Sequence, residues 1–158
     1  MVSFAVACGS GASSDDSQAP LINLPADEGA HQAGIEWWYF NGHLTDDLDR
    51  DYSFHFVAFQ IGTNQTGGDI SQSGQMLQLS WGDHAKQVFL TGEKVSLGTP
   101  EATPGSFAVD LSGWRISGDG KEYALAFDTG GYSVTLDAVS LKPAAFHQKT
   151  GFVSLGPA

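Results

Sequence analysis

Between residues 35 and 61 the chain alternates in character at every second position, on both sides of a short acidic turn. One parity of 35–45 holds Glu36, Trp38, Phe40, Gly42 and Leu44; the other holds Trp37, Tyr39, Asn41 and His43. Successive side chains of a strand point to opposite faces, and aromatic residues favour strands, so the segment reads as a strand with two unlike faces. Asp46-Asp47-Leu48-Asp49 supplies turn chemistry, and 51–61 then repeats the alternation. A turn centred on Leu48 pairs Gly42 with Phe54, Phe40 with Phe56 and Trp38 with Ala58 on an apolar face. The opposite face then pairs His43 with Ser53, Asn41 with His55, Tyr39 with Val57 and Trp37 with Phe59. A slip of one residue would exchange the faces.

The remainder has the same texture. Further strands are expected over 75–81, 87–91, 94–97, 106–117, 122–128 and 131–139. Gly67-Gly68-Asp69, Gly82-Asp83, Gly118-Asp119-Gly120 and Gly130-Gly131 mark turns between them. No long window carries a helical period. The fold class is therefore all-β, an antiparallel barrel or a strongly curved sandwich, with 1–20 a tether and 21–158 the folded domain.

Composition narrows the partners. The 158 residues carry 18 acidic and 7 basic side chains, a net charge of −11. Phosphate binding depends on Lys and Arg, so neither nucleic acid nor an anionic membrane surface is expected as a partner. No run approaches the ~18 apolar residues of a membrane-spanning helix. No P-loop, dinucleotide fingerprint, serine-hydrolase elbow or metal-ligand spacing occurs, so no metal and no cofactor is expected.

The candidate site is the polar face of the first hairpin. His43 and His55 can exchange protons near neutrality, beside the Asn41 amide. Trp37 and Tyr39 offer π faces that stack on an apolar ligand and stabilise a developing cation. Glu36, or an Asp, is the candidate acid, provided that an apolar setting raises its pKa; the plainer reading of Glu36 is a structural hydrogen-bond acceptor. The bland alternative has the face looking outward with the aromatics as packing. Trp81-Gly82-Asp83-His84 reads as a plain turn, and Trp114 as core.

Asp27-Glu28-Gly29-Ala30-His31 followed by Ile35-Glu36-Trp37-Trp38-Tyr39-Phe40-Asn41-Gly42-His43-Leu44 resembles the opening signature of the AttH / carotenoid 1,2-hydratase family. Arg50 to Phe56, Leu111 to Ile116 and His147-Gln148-Lys149-Thr150-Gly151 continue the likeness in order. The resemblance implies a lipocalin-like barrel, the N-terminal one of two, with the second expected in the full-length protein. It also implies a hydrophobic small-molecule partner and a hydratase- or cyclase-like lyase chemistry on isoprenoid-like compounds. A non-catalytic lipocalin-like carrier is the other reading.

Phe4-Ala5-Val6-Ala7-Cys8-Gly9-Ser10 looks like the end of a bacterial lipoprotein signal, ahead of a Gly/Ser/Asp-rich tether. The basic start and full apolar stretch of such a signal are missing, so a chance cysteine in a tail stays open. The expectation is lipidation at Cys8, the one route to a membrane, and placement in the bacterial cell envelope.

Overall fold

In the computed structural model, residues 22–31, 34–62, 73–98 and 104–145 are described. The tether, Cys8 and the 147–151 motif lie outside them. A compact unit spans Asn23–Pro143. Among the described residues it contains eight strands: β1 (Ile35–Thr45), β2 (Asp51–Ile61), β3 (Gly74–Asp83), β4 (Val88–Leu97), β5 (Phe107–Leu111), β6 (Trp114–Gly118), β7 (Glu122–Thr129) and β8 (Tyr132–Val139). They form two antiparallel four-stranded sheets, β1-β2-β3-β4 and β5-β6-β7-β8, each a simple meander and neither closed into a barrel. The fold is thus all-β, the sandwich form of the expected class.

The first hairpin has the register expected from its alternation: Trp38 faces Ala58, Phe40 faces Phe56 and Asn41 faces His55. Its turn is held by one carboxylate. Asp46 Oδ1 accepts from the Leu48 and Arg50 amides at 2.9 and 3.1 Å. Asp46 Oδ2 accepts from Arg50 Nε at 2.7 Å and from the Tyr52 hydroxyl at 3.2 Å. The Arg50 bond, with these others, holds Asp46 far below the usual carboxylate range.

Two strand expectations need correction. The separate strands 87–91 and 94–97 are one strand, β4, which runs through Gly92 paired to Leu79. Glycine fits there because a Cβ would stand 2.7 Å from Cη2 of Trp114, whose indole fills the space above it. Conversely, 106–117 is two strands. Ser112 and Gly113 both take positive φ, 51° and 86°, the signature of a two-residue hairpin turn matched to strand twist.

The core lies between the sheets and is mainly aromatic. Trp38 stacks on Phe107 at 4.8 Å and Phe40 tilts against Tyr123 at 5.1 Å. Phe56 meets Trp114 and Phe127 edge-on at 5.9 and 5.2 Å. Leu77, Leu79, Val109, Ile116 and Leu125 complete it. The interior is thus filled by side chains at its centre.

The segment 22–31 packs on both sheets. The Trp38 indole donates to Glu28 O at 2.9 Å, while Pro25 sits against Gly105 and Gly120 of the second sheet's connections.

Candidate functional site

Because Trp38, Phe40, Phe54 and Phe56 turn inward, the alternate positions must turn outward. The outer face of β1–β4 therefore carries rows set by the pairing. Trp37, Phe59, Met76 and Val95 form one row, and Tyr39, Val57, Gln78 and Glu93 the next. Asn41, His55, Ser80 and Thr91 follow, then His43, Ser53, Gly82 and Phe89. The face is apolar at one end, where Ile35 and Leu97 extend it, and carries the imidazoles at the other, where Phe89 is exposed beside them. Trp37 and Tyr39 stay 54% and 57% exposed, a large share for residues of their size.

Tyr39 lies 6.0 Å from His55 by ring centroids, and His43 lies 6.1 Å from His84. A depression of about 320 Å³ beside His55 is lined by Gln78, Ser80, Thr91 and Glu93 among others. The structure therefore gathers Trp37, Tyr39, Asn41, His43 and His55 on one solvent-facing surface. His84 joins them, though as the neighbour of Asp83 in the chain it reads as turn. Among the described residues no three His, Cys, Asp or Glu side chains come together as a metal-binding group.

Glu36 is not brought to that surface. It occupies the inward parity at the end of β1, where Oε1 accepts from His31 Nδ1 at 2.6 Å and Oε2 accepts from the His31 amide at 2.8 Å. Gln60 Nε2 in turn donates to the His31 carbonyl at 3.3 Å. His31 thus emerges as a candidate that the strand pattern does not reveal, because it precedes β1 and has no parity.

Asp83 is not a plain turn residue either. It closes β3 with only 3% of its surface exposed. Its carboxylate accepts from the Tyr132 hydroxyl at 2.8 Å and the Lys86 amide at 2.8 Å, and it pairs with Lys86 Nζ at 3.1 Å. The Lys86 amide, followed by these side-chain bonds, holds its pKa at about 2. Lys86 also lies 4.9 Å over the Tyr132 ring. With both oxygens engaged, this cluster joins the two sheets.

A two-sheet antiparallel sandwich with a filled core and one aromatic, imidazole-bearing outer face defines a β-sandwich whose candidate site lies on a sheet surface. The AttH-like family model matches residues 16–158, and the chain belongs to that family. A crystal structure of a Nitrosomonas europaea protein assigned to AttH superposes with a TM-score of 0.69 at 19% identity. The match covers 89% of this chain and 46% of that one, so this chain spans about half its length. No curated protein sequence matches the chain.

Proposed function

We propose that the chain binds a hydrophobic, isoprenoid-like small molecule on the outer face of β1–β4 and acts on it as a hydratase- or cyclase-like protein, by cofactor-independent acid–base chemistry. The observation that carries this reading is the face itself. Ile35, Trp37, Tyr39, Val95 and Leu97 remain exposed on one surface, next to Asn41, His43 and His55. Contiguous exposed apolar surface of this kind marks interaction sites. Polar groups at one end suit a molecule with an apolar body and one reactive or oxygenated end. A non-catalytic binding role is the second reading, favoured by the absence, among the described residues, of a carboxylate bonded to His43 or His55.

The test uses retinol as an isoprenoid probe and tryptophan emission as the readout. Saturable quenching that is lost in Trp37→Ser and Tyr39→Ser, with near-UV dichroism unchanged, is the expected result. Equal quenching in all three proteins would refute the site. If the imidazoles carry protons, His43→Ala and His55→Ala lower turnover by ~10²-fold or more while binding persists. Binding without turnover leaves the carrier reading. Lipid attachment at Cys8 and a second AttH-like barrel as partner belong to the same proposal. A palmitate analogue fed to cells should label the wild type and not Cys8→Ala.

A further inference from the structure

Glu36 and His31 are held together more completely than a surface ion pair requires. The carboxylate accepts from the backbone amide and from the ring of the same histidine, and Gln60 fixes that histidine's carbonyl. An ionised carboxylate only accepts, so Nδ1 carries the proton and Nε2 is the lone-pair nitrogen of the neutral ring. The Glu36 side chain is 19% exposed and that of His31 is 47% exposed. Among the described residues Nε2 has no partner. A covered carboxylate behind a half-open imidazole, with the basic nitrogen outward, is the arrangement of an oriented general base.

We propose that His31 and Glu36 form a proton-transfer site of their own, separate from the outer-face histidines. His31 Nε2 accepts a proton from a neutral, weakly acidic C–H or O–H compound. Glu36 is the positioning residue. In the step, the substrate's bond to hydrogen breaks, its electron pair stays on the substrate atom, and the proton bonds to Nε2. The imidazolium formed remains paired with Glu36 and returns the proton in the reverse sense. The compound is neutral because, among the described residues, no Lys or Arg is bonded to either residue and the chain's charge of −11 repels anions. The charged group facing the ring from β1 is Glu36; β2 contributes the neutral Gln60 amide, and Asp27 and Glu28 belong to the segment that carries His31 itself. This site lies on the opposite parity of β1 from Trp37 and His43, and stands whether or not the outer face takes a ligand.

The test is base-catalysed opening of 5-nitrobenzisoxazole, a neutral apolar probe, by the full chain. Removal of its C3 proton forms the nitrile as the N–O bond breaks, and the charge leaves on 2-cyano-4-nitrophenolate. The expected result is a saturable rate well above that of equimolar free imidazole. His31→Gln should lower it by roughly 10²-fold. Glu36→Gln should lower it by about tenfold, and Glu36→Asp should restore part of the loss. Asp47→Asn, in the exposed β1–β2 turn, should leave the rate unchanged. A wild-type rate no faster than equimolar free imidazole, an unaffected His31→Gln, or an undiminished rate in Glu36→Gln would each overturn the proposal. Should His31→Gln fail to fold, the wild-type rate and the loss in Glu36→Gln with its rescue by Glu36→Asp still decide.

Discussion

The Tyr132 hydroxyl of β8 donates to the Asp83 carboxylate of β3 across 2.8 Å, and this bond ties one sheet to the other at the end of the sandwich. Around it, Tyr52 stacks on Trp81 at 5.2 Å and Trp81 tilts against Tyr132 at 5.5 Å. Tyr132→Phe keeps the ring contacts and removes the hydroxyl's bond to a buried carboxylate, which Lys86 still partners, together with the bond the hydroxyl accepts from Lys86 Nζ at 3.2 Å. Asp83→Asn weakens every bond in the cluster. Thermal denaturation should therefore show a drop on the order of 5 °C for Tyr132→Phe and a larger one for Asp83→Asn. Equal melting of both variants with the wild type would remove the latch.

Acid should unfold the protein through the same groups. Asp83, held at about 2, and Asp46, held lower still, are both depressed by bonds present only in the fold. A depressed carboxylate contributes stability that is full above its unfolded value, near 4, and is lost as pH falls through the folded value. Urea midpoints should thus be flat from pH 7 to about 5 and fall steeply between about pH 4 and 2. Asp83→Asn should make that fall shallower.

The two buried tryptophans should respond differently to the same substitution. Trp114 Nε1 donates to Asp128 O at 3.0 Å, whereas Trp81 Nε1 is buried with no hydrogen-bond partner among the described residues. Both lose indole volume on change to Phe, but only Trp114→Phe also loses a hydrogen bond. Chemical denaturation should find Trp114→Phe the costlier by about 1 kcal/mol. The reverse order would contradict these bonding patterns.

Gly118 and Leu77 test the packing between the sheets. A Cβ at Gly118 would stand 2.2 Å from Cδ1 of Tyr123 and 2.9 Å from Cε1 of Phe107, so Gly118→Ala must displace rings that pack on Phe40 and Trp38. Leu77 is fully buried, and Leu77→Ala should cost about 2–5 kcal/mol by lost burial and cavity formation. Gly118→Ala should cost about 1–3 kcal/mol by overpacking. Urea denaturation measures both.

On the outer face, Trp37→Lys should change stability little, since the side chain is half exposed and its face has no covering layer in the described residues. It should nevertheless reduce the binding of an apolar dye such as anilinonaphthalene sulfonate. A melting temperature lowered as far as that of Leu77→Ala would show that Trp37 serves packing instead.

The sequence by itself determined the first hairpin, its register and its two faces. A period of two repeated across eleven-residue strands leaves one pairing that buries Trp38, Phe40, Phe54 and Phe56 together. Local chemistry also announced the Asp46 turn. It did not announce that Gly92 stays in a strand, because that depends on Trp114 arriving from the other sheet. Nor did it show the break at Ser112-Gly113, where adjacent positive φ values decide. Only the tertiary structure decided which groups meet. Asp83 and Tyr132 are 49 residues apart and touch because two meanders stack face to face. His31 meets Glu36, five residues further on, at the entry to β1. Periodicity reports which way a side chain points; it carries no information about what comes to face it.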